Sequence, residues 1–116
     1  MVVEDFSFGR IRIDGKEYAH DVIVDRGEIR KRSKKKSKPL REQFGHTPLT
    51  VYEDIPWKCD RLLIGTGAEG ALPITKDVIR EAKRRGVELL QMPTAQAIAE
   101  LNAGAKDTNA VLHVTC

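Results

Sequence analysis

The spacing of apolar and polar positions divides the chain into two halves with different periods. In the first half the period is two. Phe6 and Phe8 alternate with polar residues, and Ile11 and Ile13 alternate in the opposite phase. This change of phase predicts a register shift at Gly9, such as a bulge. Asp14-Gly15 predicts a hairpin turn. Tyr18, His20, Val22 and Val24 share one face of what reads as a single second strand. Asp25-Arg26-Gly27 turns the chain again, and residues 28–31 predict a short third strand. Between residues 40 and 60, Gly45, Pro48 and Pro56 exclude a continuous helix, and Leu49 to Ile55 reads as a turn of helix or a strand.

In the second half, short apolar runs alternate with helical spacing. Leu62-Leu63-Ile64 predicts a strand buried on both faces. Thr75 is placed to cap a helix running to about Arg85, with Val78, Ile79 and Ala82 inward and Gly86 ending it. Residues 87–91 predict a strand. Thr94 is placed to cap a second helix carrying Ala95, Ile98 and Leu101, stopped by Gly104, and residues 110–115 predict a last strand. The fold class is therefore α/β in the mixed α+β sense. An N-terminal β-hairpin layer joins a β-α-β-α-β unit on a parallel or mixed sheet, in one domain over residues 1–116.

Charge changes this picture at one place. The chain carries 20 Lys and Arg against 17 Asp and Glu. Residues 30–38, RKRSKKKSK, hold seven of the basic residues and no acid, leaving thirteen against seventeen elsewhere. This run predicts an exposed basic loop. A nucleic-acid contact through Arg30, Lys31, Arg32, Lys34, Lys35, Lys36 and Lys38 is an alternative, not favoured because no aromatic residue interleaves the run. Charged residues make up 32% of the chain, above the usual ~25%, which points weakly to a heat-adapted host. No apolar run approaches the ~20 residues that cross a bilayer, and the opening residues lack signal-peptide character, so a cytoplasmic location without membrane contact is expected. Cys59 and Cys116 read as free thiols. With no C-x-x-C or H-x-x-x-H pair, no metal site is expected.

The candidate chemistry centres on the loop Gly65-Thr66-Gly67-Ala68-Glu69-Gly70 after a buried strand. Its pattern matches a dinucleotide loop, but Pro73 delays the helix and the following strand ends in Gln91 rather than an acid. A nucleotide cofactor is therefore not expected. The loop reads as a backbone turn at the mouth of a strand-end cleft, with N–H groups free to hold a small anion. His46, His113 and Thr115 are candidate cleft residues beside Gly65, Thr66, Gly67 and Gly70. On a continued strand His113 and Cys116 point to opposite faces, which disfavours a nucleophilic pair. His113 and Thr115 share a face. His20 reads as a structural histidine, Glu69 as a solvated loop residue and Trp57 as core.

Several pieces together are similar to a known family: Phe8-Gly9-Arg10-Ile11-x-Ile13-Asp14-Gly15-x-x-Tyr18, Gly45-His46, Ile64-Gly65-Thr66-Gly67, Thr94-x-x-Ala97 with Asn102, and His113-Val114-Thr115-Cys116. The chain resembles the adipogenesis-associated Mth-domain family, related to an assembly factor of mitochondrial respiratory complex I. The resemblance implies a three-layer arrangement around a mixed sheet and a role in assembly rather than catalysis. The expectation is a non-enzymatic binding or assembly module with a protein partner and no cofactor. A small enzyme or metabolite binder using the same cleft is the alternative. An open sheet edge adds the expectation of a homodimer.

Overall fold

The structure is a computed structural model, and it describes residues 1–104 and 107–116. Among the described residues, eight strands form two sheets. Strands β1 (Val3–Ser7), β2 (Arg10–Ile13) and β3 (Lys16–Tyr18) make an antiparallel meander. Strands β4 (Val22–Asp25), β5 (Glu28–Lys31), β6 (Arg61–Gly65), β7 (Glu88–Met92) and β8 (Thr108–Leu112) make a mixed sheet in the order β5-β4-β8-β6-β7. Helix α1 (Arg41–Phe44) is one turn long; α2 (Lys76–Arg85) and α3 (Thr94–Asn102) are the crossover helices.

The alternation along each central strand sorts side chains into two cores. Val22, Val24, Leu63, Ala110 and Leu112 face β1–β2 and α3, where Val3, Ile11, Ile13, Ala97 and Leu101 close one core. Ile23, Leu62, Ile64 and Val111 face the other way, onto Val78 and Ala82 of α2 and onto Leu49, Ile55 and Leu72. Three layers result, with the five-stranded sheet in the middle and β6 and β8 buried on both faces.

Three local expectations are corrected. The turn at Phe8–Gly9 is a hairpin, not a bulge: Ser7 pairs with Arg10 across it, Gly9 has φ +88°, and the reversal accounts for the change of phase. Tyr18 to Val24 is not one strand. The chain breaks at residues 19–21 and passes from one sheet to the other, so Tyr18 pairs with Ile11 while Val22 pairs with Leu112 and Lys31. Thr94 does not cap α3 through its side chain. Pro93 is the N-cap residue, and the Thr94 hydroxyl donates to the His113 carbonyl at 2.6 Å while accepting the Gly67 N–H at 2.9 Å. Thr75 does stand at the N-cap of α2, with its hydroxyl making no capping bond.

A candidate anion and thiol site at the strand ends

Strand β6 runs parallel to both its neighbours, β7 and β8. The chain leaves β6 through α2 to β7, then returns through α3 to β8 on the other side. Connections that diverge this way open a crevice at the carboxyl ends of the two adjacent strands. Gly65 and Leu112 are register partners there. The glycine loop follows the first, and residues 113–116 follow the second.

The loop clamps those residues. Ala68 N–H donates to the Thr115 carbonyl at 2.7 Å, and the N–H groups of Glu69 and Ala71 donate to the main-chain oxygen of Cys116. Thr66 N–H is bound to Met92, Gly70 N–H to Gly67 and Leu72 N–H to Thr66. Every backbone donor from Thr66 to Leu72 is thus committed to the protein itself. The expectation that these N–H groups are free for an anion is corrected: the segment after β8 takes those of Ala68, Glu69 and Ala71, and Met92, Thr94 and the loop itself take the rest. Gly67 sits closest, with φ +107°, and a Cβ there would lie 2.3 Å from the Cys116 carbonyl carbon.

The clamped segment leaves strand geometry after Leu112, and this brings together residues that a continued strand would separate. His113 Nε2 lies 3.4 Å from Cys116 Sγ and 3.1 Å from Thr115 Oγ1. The opposite-face expectation for His113 and Cys116 is corrected on this geometry. His46, in the loop after α1, places its Nδ1 3.4 Å from the same sulfur. On the other side of the ring, His113 Nδ1 is 2.8 Å from Asp21 Oδ2. Asp21 and His113 are both buried.

Asp21 stands at the head of a buried charged network. Its Oδ1 accepts the Val114 N–H at 2.8 Å, and its Oδ2 accepts Arg32 Nη1 at 2.9 Å. Arg32 in turn grips Glu53 through Nε at 2.7 Å and Nη2 at 2.9 Å, and donates to the Pro48 carbonyl. Ser37 donates to Glu53 and meets Thr50. Burial pushes the Asp21 carboxyl up. The hydrogen bond and charge of His113, the Val114 N–H and the Arg32 guanidinium outweigh it and hold the group at about 2.

Arg32 is only 2% exposed, so its place among nucleic-acid contacts is corrected; the guanidinium is an internal strut. Arg30 is half-buried against Asp25 and Asp54. Lys31, Lys35 and Lys36 are exposed. Lys34 and Lys38 turn instead to the strand-end cleft, a cavity of about 360 Å³ lined by Lys34, Lys38, Arg41, His46, Thr47, His113, Thr115 and Cys116. Three of these side chains are cationic and none is acidic. Gly65, Thr66, Gly67 and Gly70 are absent from the lining; they form its scaffold through the clamp.

Asp21, Cys116 and Arg41 were not among the candidate site residues. A single acid ahead of an apolar strand and a lone arginine in an irregular stretch carry no spacing signal. His20 donates to the Asp21 carbonyl at 2.9 Å and packs edge-on against Tyr18. Trp57 packs on the second core beneath Arg85. Among the described residues no group of three or more His, Cys, Asp or Glu has the arrangement of a metal site, and no helix is long and apolar enough to cross a membrane.

The fold is that of a mixed α+β protein of paired sheets, similar to Mth938-like domains. The chain belongs to the family described as protein of unknown function (DUF498/DUF598), whose model matches residues 3–114. It is 32% identical to a conserved hypothetical protein from Pyrococcus horikoshii OT3, with 100% of each chain covered and a TM-score of 0.86. The protein MT938 is 25% identical over 99% of this chain and 98% of that one, with a TM-score of 0.75. A Mth938-like domain protein of Bordetella pertussis shares the fold at 19% identity, covering 97% and 85% of the two chains with a TM-score of 0.65. No curated protein matches the chain.

Proposed function

We propose that this protein is a binding module that takes a small anion in the strand-end cleft. The observation that supports this is the convergence of Lys34, Lys38 and Arg41 with the hydroxyls of Thr47 and Thr115 on one cavity whose lining holds no Asp or Glu, Lys34 also standing 4.0 Å from the buried Asp21 Oδ2. Such a cavity favours a compact, multiply charged oxyanion. The test is titration of the protein with inorganic phosphate and with succinate, followed by amide NMR. Shifts confined to residues around His46 and Thr115, weakened about tenfold or more in the Lys38→Ala/Arg41→Ala double variant, are expected, since each charge-assisted hydrogen bond contributes about 1.5 kcal/mol or more. Amides that stay unmoved with both anions would remove this reading.

A second reading gives the protein a macromolecular partner, as the resemblance to adipogenesis-associated and complex I assembly proteins implies. The exposed rings of Phe8 and Tyr52 favour it. Co-purification from host lysate that is lost in Phe8→Ser or Tyr52→Ser is the result expected of such a surface. The nucleic-acid reading is narrower: it rests on exposed Lys31, Lys35 and Lys36, and predicts affinity for single-stranded RNA that falls steeply with salt.

A further inference from the structure

The cleft holds more than an anion needs. A thiol, an imidazole and a buried carboxylate stand in a row, with Cys116 Sγ 3.4 Å from His113 Nε2 and His113 Nδ1 2.8 Å from Asp21 Oδ2. The carboxylate is fixed on three sides by His113, Arg32 and the Val114 N–H. An ionised Asp21 accepts the Nδ1 proton, which leaves the Nε2 lone pair directed at Cys116 and Thr115. That is the tautomer a general base requires. Cys59 offers an internal contrast: its thiol donates to the Pro56 carbonyl, and burial, with the charges of Asp107, Asp25 and Asp60, pushes it up.

We propose that Cys116 is a nucleophile, with His113 its general base and Asp21 the residue that positions the base, and that the cleft transfers the acyl group of a small acyl phosphate through an S-acyl intermediate. The substrate class rests on the anion reading above. Lys34, Lys38 and Arg41 would hold the phosphate while its acyl carbon meets the sulfur. In the first step the Cys116 S–H proton passes to His113 Nε2 and the sulfur electron pair forms the S–C bond. The C–O bond to phosphate breaks, and the phosphate leaves with that electron pair and the His113 proton. In the second step water attacks the thioester carbon, and His113 takes a proton from the water. The C–S bond breaks, and the sulfur recovers a proton from His113. The sum is hydrolysis of an acyl phosphate to carboxylic acid and phosphate, with no change of oxidation state.

The test incubates the full chain with acetyl phosphate and maps adducts by mass spectrometry. One acetyl group on Cys116 is expected in the natural chain and in Cys59→Ser, and none at that position in Cys116→Ser. His113→Gln is expected to slow acylation about a hundredfold. Because His113 and Asp21 are buried, alkylation by iodoacetamide gives a second readout in the intact protein. Cys116 should react at least about tenfold faster than Cys59 at neutral pH, and Asp21→Asn should change the pH profile of that reaction. Acetylation confined to lysines, or equal alkylation of the two thiols, would overturn the proposal. Phosphate shifts at His46 and Thr115 without any acyl-Cys116 would overturn the nucleophile and leave the anion reading standing. Acyl-Cys116 without phosphate shifts would do the reverse.

Discussion

Asp21 and His113 face each other at 2.8 Å although 92 positions separate them in the chain. Strand pairing fixes the meeting: Val22, which follows Asp21, is the register partner of Leu112, which precedes His113. Because the Asp21 carboxyl is held at about 2, below the ordinary 3.8, its ionised form favours the folded state by about 2 kcal/mol above about pH 4. That contribution is lost as the pH falls through the folded value. Asp21→Asn should therefore lower the urea midpoint more at about pH 6 than at about pH 2.5. Equal losses at both would show that the charge is not what matters.

Arg32 shows how far geometry constrains a buried cation. Its planar fork meets Glu53 through two nitrogens and Asp21 through a third. A lysine ammonium cannot span both acids, so Arg32→Lys should cost about 3 kcal/mol despite keeping the charge. Chemical denaturation measures this directly. A loss below about 1 kcal/mol would place the pair among weak surface bridges.

The two glycines of the clamp should respond differently. At Gly67 a methyl group would strike the Cys116 backbone, and φ is +107°; at Gly70 the nearest atoms lie 3.5 Å away and φ is +71°. Gly67→Ala should cost about 3 kcal/mol or more, and Gly70→Ala about 1 kcal/mol. Limited proteolysis should cut within residues 113–116 in the first variant alone.

Thr94 ties α3 to both sides of the crevice with one hydroxyl. Thr94→Val keeps the shape and leaves the Gly67 N–H and His113 carbonyl without that partner, for a loss of about 2 kcal/mol. Hydrogen exchange at the Gly67 amide should rise in step. Thr94→Ser should retain most of the stability.

The second half of the fold was legible because short apolar runs and glycine stops repeat in β6, α2, β7 and α3, although Ile79, read as inward on α2, is exposed while Val78 and Ala82 are buried. The Tyr18–Val24 stretch misled because apolar alternation continues through a chain break. The break carries the chain from one sheet to the other, a passage visible only in three dimensions. Arg32 was hidden in the same way. Among lysines it reads as one more solvated charge, although Glu53 and Asp21 hold it inside. The pairing of His113 with Cys116 was missed because the extended strand was carried three residues past its end at Leu112, where the glycine clamp bends the chain.

Strand β8 lies between β4 and β6 in the central sheet, yet it comes after both along the chain. Until it arrives, the β4–β5 hairpin and the β6-α2-β7 unit share no edge through which to join. The keystone is laid last. Both cores and the cleft therefore close only when residues 108–112 insert, and an emerging chain would hold two unjoined, sticky halves until then.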